Sequence, residues 1–307
     1  MEISPLSLED VDAVVARIAR RLHDDAQRND LVAPAIDHVV TADALRAAAS
    51  SLWVARRRGA VVGHLYGAVL GEGASRAAWV GPDGSSFDDV EILASLYAVA
   101  GRAWLDAGAT HHVAWTLDDI AGTAPWFELG FARSSVRASH RLDDQPLRPL
   151  PTGYRWRRGN LDDLNAAIEL ARAIDRAQAL GPSFLLDADE ESLRANVTET
   201  LDDPQTIHHL ITHGRRIVAQ AITFPLDPRR GSYDESWHLS TVAVADDHRR
   251  RGLAIALVDR VLTDARAHGG RIMETSWRVT NRDAQRFWLR YGFRPTYVRL
   301  QRRVGTD

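Results

Sequence analysis

One order of patterns occurs twice along this 307-residue chain, and that duplication limits the fold more than any single motif does. Each half begins with a short strand and a helix: "ISPLSLEDVDAVVARIARRL" in the first, "YRWRRGNLDDLNAAIELARAI" in the second. A hairpin follows in each, turning at Arg58-Gly59 in "SLWVARRRGAVVGHLYGAVL" and at Gly214 in "TIHHLITHGRRIVAQAITFPL". Next come a strand, a long helix and another strand. Val90, Leu93, Tyr97, Ala100 and Trp104 recur at helical spacing in the first half; Leu253, Leu257, Val258, Val261 and Ala265 do so in the second. Glycines stop both helices, at Gly108 and at Gly269-Gly270. Each half closes with Trp-x-x-x-Gly-Phe and an alternating strand, "PWFELGFARSSVRASHRL" and "FWLRYGFRPTYVRLQRRV".

Helices alternating with strands, twice over, predict an α/β protein of two domains built on central sheets. The boundaries expected are residues 1–143 and 153–307, with a proline-rich linker at 144–152 inside "DDQPLRPLPTG".

Composition excludes several classes. Apolar residues make up 45% and charged residues 26%, as in a globular chain with sizeable cores. No apolar run approaches the roughly 20 residues of a membrane-spanning helix, and the acidic start "MEISPLSLEDVD" lacks the basic and apolar regions of a signal peptide. A cytoplasmic protein with no membrane partner is expected. Cys 0 removes disulfides, thiolate metal sites and a cysteine nucleophile together. A net charge of −3 argues against a general nucleic-acid partner. The chain also holds no lysine, so its 38 basic residues are all arginine.

Three of those arginines stand together in "HRRRGLA", His248 to Ala254, after the alternating "HLSTVAV" and before the apolar "IALVDRVL". A helix start offers unpaired N–H groups and the positive end of the helix dipole, and hence an anion site. Gly252 removes a side chain where a phosphate would approach the backbone, Ala254 keeps the first turn slim, and the arginines add positive charge.

The arrangement Arg249-x-x-Gly252-x-Ala254 straight after a strand resembles the acyl-CoA signature of the GNAT N-acetyltransferase superfamily, usually Gln/Arg-x-x-Gly-x-Gly/Ala. "TNRDAQRFWLRYGFRP" resembles that family's closing Asn-x-x-Ala-x-x-Phe-Tyr-x-x-x-Gly-Phe segment, with Asn281, Ala284, Phe287, Gly292 and Phe293 in place. The resemblance covers residues 153–304 and, more faintly, the first half. It implies two tandem GNAT-like domains, each a mixed, mostly antiparallel central sheet flanked by helices. It also implies acetyl-CoA as co-substrate and a small-molecule primary amine as acceptor, in a monomer or homodimer. By the resemblance, the strand edge of Val242, Ala243 and Val244 would pair with the pantetheine arm. The amides of Arg250, Arg251, Gly252, Leu253, Ala254 and Ile255, with Arg249 beside them, would hold the pyrophosphate. Asn281 would cap its helix and lie beside the pantetheine, or serve as an N-cap alone, and Trp288 would pack against pantetheine or the substrate.

Acetyl transfer to an amine needs a base for the ammonium proton, donors for the thioester oxygen and an acid for the departing thiolate. Alternation places His238, Ser240, Val242 and Val244 on one face of their strand. His238 is the candidate base, with a reference pKa of about 6.5; Glu235, at the strand's start, is the second. The family's usual tyrosine acid is replaced by Trp288, which leaves Tyr291, ordered water or unassisted departure. No metal site is expected, because His111-His112 and His208-His209 each point their rings to opposite faces of a strand. "GPDGSS", Gly81 to Ser86, is expected at the cofactor-loop position of the first half, where Asp83 would oppose a phosphate. The first half then reads as a degenerate copy. The acidic stretch "FLLDADEESL", with Asp187, Asp189, Glu190 and Glu191, is either a mouth for cationic acceptors or the first turn of a solvated helix. Two alternatives stay open: a non-catalytic acyl-CoA sensor, and a tandem enzyme similar to mycothiol synthases.

Overall fold

The computed structural model describes residues 1–34, 45, 51–143, 147–185, 189–227 and 231–305. The chain forms two compact units. The first comprises residues 1–137, 228–232 and 295–307; the second comprises 138–227 and 233–294. Among the described residues no helix is long and apolar enough to cross a membrane.

In the first unit β1 (Glu2–Pro5), β2 (Leu52–Arg57), β3 (Ala60–Tyr66) and β6 (Ser85–Phe87) form an antiparallel sheet in the order β1-β2-β3-β6. A second set of strands contains β4 (Ala68–Leu70), β5 (Ala77–Val80) and β7 (His111–Leu117), with β5 and β7 parallel. Helices α1 (Val11–Arg28), α2 (Val90–Asp106) and α3 (Ile120–Glu128) complete the unit. The apolar stripe expected on α2 is its buried face: Leu93, Tyr97, Ala100 and Trp104 pack with Leu65, Ala114 and Trp126, and only Val90 stays half-exposed.

In the second unit β9 (Tyr154–Arg158), β10 (Ile207–His213), β11 (Arg216–Pro225) and β12 (Ser236–Val244) run antiparallel in turn, and β13 (Ile272–Arg278) joins β12 in parallel. The helices are α4 (Leu164–Ala179), α5 (Glu190–Asp202), α6 (Leu253–Ala267) and α7 (Arg282–Tyr291). All five apolar residues expected to line α6 are buried. Burying such a stripe, at about 25 cal/mol per Å² of apolar surface, is what holds an amphipathic helix on its sheet.

Each unit therefore has the expected mixed, mostly antiparallel strands with helices, although the first unit's strands fall in two sheets. The units follow the sequence halves except at the closing strands. β14 (Arg294–Arg303), written in the second half, pairs with β7 from Tyr297↔Leu117 to Arg303↔His111 and belongs to the first unit from Pro295 onward. β8 (Ala132–Arg141) gives its last four residues to the second unit, where the chain continues with Leu142 N–H donating to Arg271 O at 2.8 Å. Residues 144–146 of the proposed linker lie outside the described residues. Of those that follow, Arg148 is tied down, its N–H donating to Asp259 on α6 at 3.0 Å, while 147–149, 151 and 152 are exposed.

Candidate functional site

The site starts from a break in strand pairing. β13 pairs with β12 only from Ser236↔Ile272 to Leu239↔Thr275, whereas β11 follows β12 to Ala219↔Val244. Between these regions Ile222 faces Thr241 and Thr223 faces Leu239, so Ser240 is the extra residue of a β-bulge. Among the described residues, the β13 side of β12 has no strand partner beyond the bulge. Ala245 N–H donates to Val218 O at 2.9 Å; by strand alternation the backbone groups of Val242 and Val244 point the other way, into the open side. Arg249 Nε donates to Val244 O there, at 3.4 Å.

That open edge borders a cavity of about 530 Å³. Val242, Ala243 and Val244 form one wall, Ala173, Ile174 and Ala177 of α4 a second, and Asn281, Ala284, Phe287 and Trp288 of α7 a third. The end is made by Arg249, Arg250, Gly252, Leu253, Ala254 and Ile255. Every residue expected from sequence to bind the cofactor thus lines one cavity, apart from Arg251, whose guanidinium donates to Asp247 O at 3.1 Å.

The helix start at this end is bare. Gly252 is the N-cap of α6, at φ +80°, and no side chain caps the helix. The first intrahelical bond is Ala256 N–H to Gly252 O, at 3.1 Å, so the N–H groups of Leu253, Ala254 and Ile255 have no acceptor within the helix. Elsewhere Asp89, Asp119, Asp189 and Asn281 cap α2, α3, α5 and α7 through their side chains. A Cβ built on Gly252 meets nothing within 4 Å; the glycine is demanded by its left-handed φ and leaves open space over the amides. Arg250 is itself left-handed, at φ +60°, and successive N–H groups in such turns form an anion-binding concavity.

The three arginines divide their work. Arg249 pairs with Asp246 at 2.9 Å, and Arg251 is held on Asp247 O. Arg250 lines the cavity and holds no ion pair among the described residues. One residue that sequence reasoning passed over also lines the cavity: His248, only 8% exposed. Its Nδ1 shares a hydrogen bond of 2.8 Å with the Tyr154 hydroxyl of β9, and it is the buried anchor of an otherwise exposed loop. Its one cue in the sequence is its place in "DHRRRG", directly before the arginines.

The catalytic candidates are not gathered in the same way. The bulge at Ser240 reverses the alternation, because directly opposed residues share a face. His238 opposes Phe224, and Val242 opposes Ala221; those two are three positions apart on β11, so they face opposite sides. The shared face expected for His238, Val242 and Val244 is therefore corrected. His238 lies with Thr241 and Ala243, its ring 5.3 Å from that of Phe224. Glu235 is exposed ahead of β12, its carboxylate 3.7 Å from Arg271, and it does not line the cavity. Tyr291 also lies outside it: its hydroxyl donates to Asp259 at 2.6 Å, and burial together with that carboxylate pushes the phenol pKa upward. Trp288 is buried edge-on against Phe287 and Phe293 while lining the cavity. Asn281 caps α7 through Ala284 N–H at 3.0 Å and also lines the cavity.

The acidic stretch resolves as a helix start. Asp189 accepts from Ser192 N–H at 2.8 Å and Glu190 pairs with Arg172 at 2.6 Å; Asp187 lies outside the described residues. Of the paired histidines, His208 bonds Thr200 at 3.1 Å while His209 faces Asp264 at 3.7 Å. Among the described residues no group of three or more His, Asp and Glu is placed to hold a metal.

The first unit has the matching break but fills it differently. What is one strand in β12 is split into β5 and β6, and Gly81–Gly84 is the connection between them. "GPDGSS" is thus corrected from a cofactor loop to a mid-strand interruption. Only Asp88 and Asp89 separate β6 from α2, and the Asp89 carboxylate accepts from Ile92 N–H at 3.0 Å, occupying the helix start. Arg17 reaches Ser86 Oγ at 3.0 Å and Val61 O at 3.3 Å; Arg21 donates to Ser85 O at 3.2 Å and Thr116 Oγ1 at 3.0 Å. These two side chains border a polar cleft of about 270 Å³.

Residues 171–293 match the acetyltransferase (GNAT) family. A segment of 68 residues is 40% identical to the tRNA(Met) cytidine acetyltransferase TmcA of Aeropyrum pernix, but it spans 22% of this chain and only 9% of that protein. Among solved structures, a GCN5-related N-acetyltransferase from Sphaerobacter thermophilus aligns over 100% of this chain and 97% of its own, with a TM-score of 0.65 and 17% identity. A tandem GNAT protein from the clavulanic acid biosynthesis pathway aligns over 100% and 99%, with a TM-score of 0.58 and 20% identity. At those identities the likeness is one of fold. Residues 171–293 therefore carry a segment of the acetyltransferase (GNAT) family, and the fold of the chain is shared over its full length with GNAT structures.

Proposed function

We propose that the second unit binds acetyl-CoA in the cavity beside β12 and transfers the acetyl group directly to a primary amine of a small molecule, while the first unit is catalytically silent. The observation that carries this reading is the uncapped start of α6 opening into the same cavity as the unpaired edge of β12. An unpaired strand edge suits an amide-bearing arm, and a bare helix start suits a pyrophosphate.

When bound, the thioester supplies the activated acyl group. The chain's own part is binding and proton handling. The backbone of Val242 and Val244 offers donors and acceptors along the arm, and the amides of Gly252 to Ile255 meet the phosphates, with Arg250 adding a mobile positive charge. His238 takes the ammonium proton through a water, because its ring lies on the opposite strand face from Val242. Glu235 and Tyr291 have other partners, so protonation of the departing thiolate falls to solvent.

That absence of a placed acid favours one other reading, a non-catalytic acyl-CoA sensor. Calorimetric titration with acetyl-CoA separates the outcomes when joined to a thiol-release assay. The expected result is one site per chain, lost in an Arg250→Ala/Gly252→Val double variant, with amine-dependent thiol release. Normal acetyl-CoA binding by the double variant would sink the binding site, and binding without release under any amine would leave the sensor.

A further inference from the structure

The segment after α4 is built in an unusual way for a surface turn. Ser183 N–H and Phe184 N–H both donate to Leu180 O, at 3.1 Å each, and Leu185 N–H returns to Gln178 O at 3.1 Å. Side chains fasten it further: Arg278 Nε donates to Gln178 Oε1 at 3.2 Å, and the Ser183 and Thr280 hydroxyls share a bond of 2.8 Å. Gln178 is next to Ala177 and Thr280 is next to Asn281, both of which line the acyl-donor cavity. The turn is pinned to the cavity's rim at both ends.

This fastening holds two large apolar side chains out of the core. Leu180 is 69% exposed and Phe184 77% exposed. Phe184 is also left-handed, at φ +47°, a conformation that disfavours bulky residues and that concentrates where a ligand is held. Its ring lies over Gly181, where a Cβ would stand 2.8 Å from Cζ. The fold thus bears a strained backbone and an exposed ring beside the cavity. Folding alone would favour glycine or asparagine at 184. Three of the nearby acids are engaged: Asp189 caps α5, Glu190 holds Arg172, and Asp283 holds Arg286 at 3.4 Å.

We propose that Phe184 and Leu180 are the acceptor's apolar contact, and that the amine taken by this site is carried on an alkyl or arylalkyl body rather than on a polycation. This rests on reading the cavity as the acyl-donor site. Burying an exposed aromatic face against an apolar ligand supplies affinity, and three of the neighbouring carboxylates are already held in a cap or an ion pair.

The test uses the full chain saturated with CoA, titrated calorimetrically with 2-phenylethylamine and with spermidine, beside an acetyl-CoA thiol-release assay. Phenylethylamine is expected to bind at least 10-fold more tightly than spermidine. Phe184→Ala should weaken it about 10-fold without changing acetyl-CoA affinity, and Phe184→Leu should recover most of the loss. Phe184→Gly should keep or raise Tm while losing the amine, which a purely structural phenylalanine would not do. Equal phenylethylamine affinity in wild type and Phe184→Ala, no phenylethylamine binding, or tighter spermidine binding each overturns the inference. The expected binding pattern without thiol release defeats the acetyltransferase reading alone; thiol release with spermidine only defeats this inference alone.

Discussion

Tyr154 and His248 share a hydrogen bond of 2.8 Å that fastens the loop before α6 to the edge strand β9. Around it, His213 stacks 4.8 Å from Tyr154 and 5.3 Å from His248. The loop's charged residues are exposed, so this anchor fixes where the arginines and the bare amides stand. Tyr154→Phe keeps the ring and removes the bond, at a cost of about 1 kcal/mol. We expect KM for acetyl-CoA to rise several-fold with kcat nearly unchanged in steady-state kinetics.

Arg250 and Arg251 are neighbours with different surroundings, and their substitutions should differ accordingly. Arg250 lines the cavity, while Arg251 is held on Asp247 O outside it. Arg250→Ala is expected to weaken acetyl-CoA binding about 10-fold, as for one charge-assisted contact to a phosphate. The loss should shrink at high salt, because the contact is exposed and screened. Arg251→Ala should change affinity less than about 2-fold by the same calorimetry.

What could be read from the sequence was what is local in it. The duplicated order of elements, the stripe on α6 and the glycine before that helix are all set by neighbours within a few residues. The bulge at Ser240 was not legible. It depends on two residues of β12 facing one interval of β11, and it reversed the face assigned to His238. The placement of β14 beside β7 was equally hidden, since the strand's own alternation is satisfied by any sheet edge. Tyr291 looked available because its partner, Asp259, stands a whole helix and strand earlier in the chain. Phe184 stands at the start of an acidic stretch, and nothing in its residue type announces a positive φ.

The partnership of Tyr291 with Asp259 should prove structural. Asp259 is 1% exposed and receives both the phenol and Arg148 N–H. Tyr291→Phe removes one of these donors to a buried carboxylate, and we expect a loss of about 2 kcal/mol in denaturant unfolding. The pH profile of kcat should not move, which separates this residue from a general acid.

Two histidines of β10 make stability depend on pH. Burial lowers the pKa of His208 to about 4 and that of His209 to about 3, from about 6.5 in an unfolded chain. Between those values the unfolded chain binds protons that the folded chain refuses. Stability is therefore full above about pH 6.5 and falls as pH drops, by up to about 1.4 kcal/mol per pH unit for each ring. Denaturant unfolding at pH 7.5 and 5 should differ by about 4 kcal/mol from these two rings together. His209→Leu should remove about half of that slope, and the difference between variant and wild type isolates it from other titrating groups.

The first unit's counterpart of the cavity should stay closed to acetyl-CoA even when its arginines are cut back. Arg17 and Arg21 supply donors to Val61 O and Ser85 O on the strands beside the cleft, and Arg21 also pairs at 3.3 Å with Asp25, which is fully buried. Arg21→Ala leaves that carboxylate with Arg28 as its remaining ion-pair partner, at 2.6 Å, and should cost about 3 kcal/mol. Arg17→Ala loses the pair with exposed Asp88 and the bonds to Ser86 Oγ and Val61 O, and should cost about 2 kcal/mol. Opening the slot does not supply a phosphate site, because Asp89 still caps α2 and no loop equivalent to residues 245–252 precedes it. The stoichiometry of acetyl-CoA in the Arg17→Ala variant should remain one per chain; a second site would mean that a carboxylate-capped helix can hold the coenzyme after all.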